Sequence, residues 1–316
     1  MLRYAIRRLL QMIPVVIGVS FIIYFIMDLA PGDIVDIEAA EEGLTPEQME
    51  QRREEYGLND PIVIRYARYM FKFIQGDLGK SYNTNKPVLQ EFMAKLPSTM
   101  KLAAASALVS VLLSLSLGIY GALHRGSIGD NIAMILSFVG LAIPNFWLGL
   151  MLIILFALKL GLLPSGGANQ ATSIILPAIT VGTGLTASLA RTTRSSMLDV
   201  LGADYLRTER AKGTPEGSVV LKYALRNALI PIITIAGSQF AGALGGSVLT
   251  ESVFSWPGVG RLVTEAVSSR DVPMVTGGII LKTIIIGLIL LAIDLLYALV
   301  DPRIKARYAK GGKKRK

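Results

Sequence analysis

The sequence has no cysteine and a single histidine, His124. Disulfides, thiolate nucleophiles and zinc–thiolate sites are thereby excluded, and imidazole chemistry has almost nothing to work with. A zinc protease would need a helical His-Glu-x-x-His, and a serine hydrolase a nucleophile beside a base. Neither is present, and no Gly-x-Ser-x-Gly element occurs. Charge is scarce too: Asp, Glu, Lys and Arg make up 17% of the chain, against roughly a quarter in soluble domains. With 52% hydrophobic residues, lipid is part of this chain's solvent. The net charge of +9 does not argue for nucleic acid, because the basic residues stand mainly at the ends of apolar segments, where membrane topology places them.

A spanning helix needs about 20 apolar residues. Six stretches qualify, roughly 9–30, 101–123, 131–158, 173–190, 229–250 and 276–300. The first follows Arg3, Arg7 and Arg8 but is too long for a secretory signal. It exits through Ala30-Pro31-Gly32-Asp33, a poor cleavage context, so it reads as an uncleaved span. The basic loops orient the bundle. Arg3, Arg7 and Arg8, Arg125, the run from Arg191 to Arg226 and the tail Arg303 to Lys316 fall on one side. Lys159, Arg261 and Arg270 fall on the other, with the long segment 31–100. Both termini are therefore expected in the cytoplasm. The expected fold is an all-α membrane protein of about six helices forming one domain over 1–316.

The outer segment 31–100 carries folding signals. Thr45-Pro46-Glu47-Gln48 reads as an N-cap, a first-turn proline and a capping-box glutamine, predicting a helix to Gly57. Asp60-Pro61 restarts one, with Ile62, Tyr66, Tyr69, Met70 and Phe73 as its apolar stripe and Gly76 as its end. Two short helices over the outer mouth fit the pattern. Between the fourth and fifth spans, Asp204 reads as an N-cap and Gly213 as a helix stop, and Thr214-Pro215-Glu216 opens a second helix at once. A bare loop would suffice to turn the chain, so a capped, mixed-charge helix here looks like a docking element.

At this loop the sequence resembles a known family. Arg207-Thr208-Glu209-Arg210-Ala211-Lys212-Gly213 and Leu225-Arg226-Asn227-Ala228-Leu229-Ile230-Pro231 are similar to the coupling loop of binding-protein-dependent ABC importers of the peptide/nickel branch. The Glu-Ala-Ala triplet of the broad signature is replaced by Arg207-Thr208-Glu209. The resemblance covers nearly the whole chain: Arg7 to Gln11, Leu29 to Asp33, Gly76 to Gly79, Ile143 to Gly149, Val253 to Gly260, Asp294 to Tyr297 and Asp301 to Arg303. The large segment after the first span looks like the B-type subunit of dipeptide and oligopeptide permeases. This resemblance implies a type I ABC importer permease fold with a cytoplasmic coupling loop at 204–228. It implies a homologous C-type permease partner, two cytoplasmic ABC ATPase subunits holding the ATP and Mg, and an extracytoplasmic substrate-binding protein, all in a bacterial or archaeal cytoplasmic membrane. Tyr205, Leu206, Glu209, Arg210, Ala211, Lys212, Gly213 and Thr214 would form the ATPase-coupling surface. No cofactor is expected on this chain. Peptides are the expected substrate, with nickel complexes, glutathione or oligosaccharides as alternatives carried by the same machinery.

Other motifs admit two readings. Gly76-Asp77-Leu78-Gly79-Lys80-Ser81 lacks the four-residue spacing of a phosphate loop. Pro144 should bend the third span; either Asn145 and Trp147 after it line the path, or the kink is satisfied internally with Trp147 at an interface. Lys282 in the sixth span either snorkels outward or attracts a peptide carboxylate, and Asp294 reads as a structural partner. Gly242 and Gly246 permit close helix approach, to the partner permease or within the chain. Trp256 to Gly260 forms a turn that either receives the binding protein or follows its own turn chemistry. His124, at a membrane boundary, is assigned no chemistry. A stand-alone ion-coupled carrier is the rival from another class; such carriers often show two related halves, and none is visible here.

Overall fold

The computed structural model describes residues 2–300, so the basic tail and the Asp301-Pro302-Arg303 motif lie outside the described residues. The chain runs as α1 (Leu2–Leu29), α2 (Ile34–Glu42), α3 (Pro46–Glu55), α4 (Ile62–Ile74), α5 (Val88–Leu123), α6 (Ile128–Ala142) and α7 (Asn145–Leu152), which continues as a π-helix over Ile153–Lys159. A 3₁₀ turn then leads into α8 (Ile175–Leu201), followed by α9 (Asp204–Ala211), α10 (Glu216–Ser218) and a π-helical stretch, Val219–Ala224. The chain ends with α11 (Leu225–Gly246), α12 (Val248–Val253), α13 (Val259–Ser268) and α14 (Val272–Val300). Among the described residues, five helices are long and apolar enough to cross a membrane, or six if the pair α6–α7 counts as one span. The Pro144 bend is far sharper than a kink: α6 and α7 meet at 98°. Proline forbids the helical conformation to its predecessor, and Ile143 is accordingly extended, at φ −88° and ψ 126°.

Internal contacts divide the chain into two compact units. Residues 2–99 and 257–288 form one. Here the capping signals act as written: Thr45 and Gln48 exchange bonds with each other's backbone, and Asp33 and Asp36 form a second capping box at α2. Arg53 of α3 donates to both of those aspartates, at 2.8 and 2.7 Å, so one guanidinium ties the last turn of α3 to the start of α2. Met27, Leu78, Val88, Ala266, Met274 and Val275 make the core. Asp271 is buried beneath the loop before α5: its Oδ1 accepts from the Met274 amide at the start of α14, and its Oδ2 accepts from the Ser81 hydroxyl.

Residues 100–256 and 289–300 form the other unit. The most buried candidate span is Ala171–Leu201, containing α8, which packs against α6, α7 and α11. The close approach needs glycine. A Cβ on Gly140 would sit 2.4 Å from the Thr183 carbonyl oxygen, and one on Gly182 would sit 2.8 Å from that of Ser106. Near the start of α6, Asp130 is 3% exposed and accepts a fork from Arg194 of α8, both bonds at 2.6 Å. The fifth predicted span, 229–250, is corrected: α11 stops at Gly246, and α12 is a separate short helix after Ser247.

Candidate coupling element and translocation path

Helix α9 is short, so its form depends on its ends. Asp204 is not its N-cap as expected from sequence. Ala203 holds that position with extended φ and ψ, and Asp204 is the first helical residue, its side chain 97% exposed. The aspartate acts through the helix dipole instead of through a capping bond. At the other end the expectation holds. Gly213 has φ +79°; its amide donates to the Arg210 carbonyl at 3.0 Å, and the Thr214 amide donates to that of Glu209 at 3.2 Å. This is the double bond pattern of a left-handed glycine cap.

The helix is fixed to its own bundle by one apolar side chain. Leu206 is fully buried among Met197 of α8 and Val219, Val220, Ala224 and Ala228 around the start of α11. Its expected place on a partner-facing surface is therefore corrected: Leu206 is an anchor. On a helix of eight residues, one residue fixed inward sets which residues point out. Arg207, Thr208, Arg210, Ala211, Lys212 and Gly213 are exposed. Arg210 forks onto Glu216, Nε to Oε2 at 3.0 Å and Nη2 to Oε1 at 2.7 Å. Lys212 donates to Glu209 at 2.8 Å, and that carboxylate raises the Lys212 pKa above its ordinary value. Tyr205, 40% exposed, accepts through its hydroxyl from the Asn227 amide at 2.8 Å. Thr214 contacts Glu209 through its hydroxyl, at 3.5 Å. The pairings of Glu216 with Arg210 and of Asn227 with Tyr205 were not legible in the sequence, because the partners lie six and 22 residues apart, away from the three- and four-residue spacings of a helix face.

The three path candidates are not gathered together. Asn145 lines a cavity of about 270 Å³ at the α6–α7 break, with Pro144, Gly140, Gly184, Leu185 and Gly242. A Cβ on Gly184 would lie 3.0 Å from its Oδ1, so the glycine leaves room for the amide. Trp147 is 47% exposed and is not part of that lining. Lys282 belongs to the other unit; it and Asp294 are each half-buried, and neither is free of partners. Beside the cavity, Gln239 donates to the Leu185 carbonyl at 2.7 Å and accepts from Ser110 at 3.3 Å. Sequence reading passed over Gln239, a polar residue inside an apolar span. Trp256 is buried against Leu102 and Ala178, so it is held by its own unit. His124 contacts the Tyr120 carbonyl and ring. Among the described residues, no group of three or more His, Asp or Glu is arranged to hold a metal ion.

Comparison with known proteins decides the family. Residues 114–306 match the family described as binding-protein-dependent transport system inner membrane component, and residues 1–103 match its N-terminal companion. The chain belongs to this family. It is a permease component, a transport subunit rather than an enzyme. The permease is 39% identical to the dipeptide transport system permease protein DppB of Alkalihalophilus pseudofirmus, covering 96% of this chain and all of the relative. It is 39% identical to the oligopeptide transport system permease protein AppB of Bacillus subtilis, with the same coverage. It is 40% identical to the glutathione transport system permease protein GsiC of Pectobacterium atrosepticum, over 96% of this chain and 99% of the relative. Its fold is that of an ABC importer permease. A chain of the inward-facing MetNI methionine ABC transporter superposes with a TM-score of 0.56 at 18% identity, covering 67% of the permease and 97% of that chain.

Proposed function

We propose that this permease forms half of the path through which an ATP-driven importer brings di- or oligopeptides across the cytoplasmic membrane. The observation that carries the reading is identity of 39%, nearly end to end, to permeases named for dipeptide and oligopeptide transport. A homologous C-type permease completes the path, an extracytoplasmic binding protein delivers substrate, and two ATPase subunits hold ATP and Mg. Both termini are cytoplasmic. The loop 204–228 is the coupling element, and the exposed residues of α9 seat in a groove on one ATPase. The structural support is mechanical. Leu206 and the Gly213 cap make α9 a rigid projection fixed to the feet of α8 and α11, so a push on α9 is transmitted to both helices. Asn145, at the helix break, is the path residue we favour. Glutathione is the second reading, supported by the relative named for it. The deciding experiment is uptake into vesicles that hold the permease with its partner permease, ATPases and binding protein. Peptide uptake that needs both ATP and the binding protein is expected; uptake by the lone chain would overturn the reading.

A further inference from the structure

Helix α4 has three chemically distinct faces. Tyr66, Tyr69, Met70 and Phe73 point to the core: the Tyr66 hydroxyl lies 2.9 Å from the Ser20 hydroxyl and donates to the Ile17 carbonyl, and the Tyr66 ring meets those of Phe21 and Tyr24 edge-on. Arg65, Arg68 and Lys72 line a polar cavity of about 540 Å³, with Arg65 bound to Asp28 and Arg68 to Asp60. The third face is Val63, Ala67, Phe71 and Ile74, spaced as one helical stripe. It is entirely apolar, yet Val63, Phe71 and Ile74 are 64%, 67% and 78% exposed.

Position says what covers that stripe. Helix α1 is a candidate span that ends at Leu29, so Ser20 lies about 14 Å below its outer end at ~1.5 Å per residue. That is near the middle of a hydrocarbon core about 30 Å thick. The Tyr66 contacts therefore carry α4 to membrane depth. At 13 residues, α4 is too short to cross the bilayer and has the length of an interfacial or re-entrant segment. Helix α1, against which α4 packs, likewise exposes apolar side chains, Ile22, Ile26 and Leu29. Lipid is the solvent continuous with both surfaces.

We propose that α4 lies within the outer leaflet as a wall, its Val63–Ala67–Phe71–Ile74 stripe against lipid acyl chains and its cationic face toward the polar cavity. The word outer rests on the orientation proposed above; embedding in a leaflet does not. The chain has no native cysteine, so single-cysteine variants carry one spin label each. Phe71→Cys and Val63→Cys, with Glu47→Cys on exposed α3 as reference, are made in the full-length chain and reconstituted into phosphatidylcholine nanodiscs. Labels at 63 and 71 are expected to collide with oxygen several-fold more, relative to a water-soluble nickel chelate, than the label at 47. Equal access to nickel at 71 and 47 overturns the proposal, as does protection of 63 and 71 from both reagents, which would mean that protein covers the stripe. An inverted orientation would leave this pattern intact and show separately, as labelling at 47 only after cell lysis.

Discussion

Arg210 and Glu216 hold each other with two parallel hydrogen bonds across the turn that contains Gly213. The fork joins the end of α9 to the helix that feeds the next span, at the place where the proposed coupling element must not flex. Both side chains are solvent-exposed, so the pair adds little to global stability. Its value is geometric, because a forked guanidinium–carboxylate pair fixes orientation as well as distance. Arg210→Glu and Glu216→Arg, each alone, are expected to lower uptake per ATP hydrolysed, and the double exchange to restore much of it. Paired measurements of ATPase rate and uptake in vesicles check this. Equal coupling in all three variants would remove the fork from the mechanism.

Gly213 occupies the left-handed region at φ +79°, and a Cβ there would meet nothing within 4 Å. Gly213→Asn should be tolerated, since asparagine adopts this backbone at modest cost. Gly213→Glu adds strain of about 1–2 kcal/mol and a bulky charge at the proposed contact. Membrane insertion should survive and ATP hydrolysis continue while uptake falls severely. Normal uptake in Gly213→Glu would count heavily against the docking role of α9.

Gly140 and Gly242 line the same cavity but differ in what stands behind them. A methyl group on Gly140 would collide with the Thr183 backbone, whereas one on Gly242 meets nothing within 4 Å. Gly140→Ala should cost roughly 1–3 kcal/mol through overpacking, lowering the melting temperature in detergent. Gly242→Ala should leave stability of the isolated chain unchanged. If Gly242→Ala nevertheless impairs complex assembly, that glycine packs against the partner permease.

Asp130 and Arg194 pin α6 to α8. Replacing Asp130 by Asn leaves the guanidinium without its anion. The loss should be on the order of 3 kcal/mol, the low end for a broken buried pair, because Arg194 keeps 27% of its side chain exposed. Thermal denaturation of the purified chain measures this; an unchanged midpoint would show that water replaces the carboxylate.

The orientation has its own test. A cysteine at Glu47, exposed on α3, should react with an impermeant maleimide added to intact cells. Reaction only after lysis would invert the topology.

Apolar run length found the spans, and the caps at Thr45 and Gly213 were legible because each is a contract between residues three to five apart. Asp204 misled because a good capping residue stood beside Ala203, and only the backbone conformation at 203 decides which of the two caps the helix. Pro144 announced a bend but not its 98°, since proline removes a hydrogen bond and leaves neighbouring helices to choose the new direction.

Taken alone, the residue order determined a multi-pass membrane chain, the capped helix-turn after its fourth span and its likeness to importer permeases, because hydropathy, capping and motif order are local properties of the chain. Tertiary structure decided that Leu206 points inward, that Arg210 finds Glu216 and that α4 presents three separate faces. Those outcomes depend on which distant groups share a volume. A side chain's role is fixed by what occupies the space beside it, and residues remote in the chain fill that space.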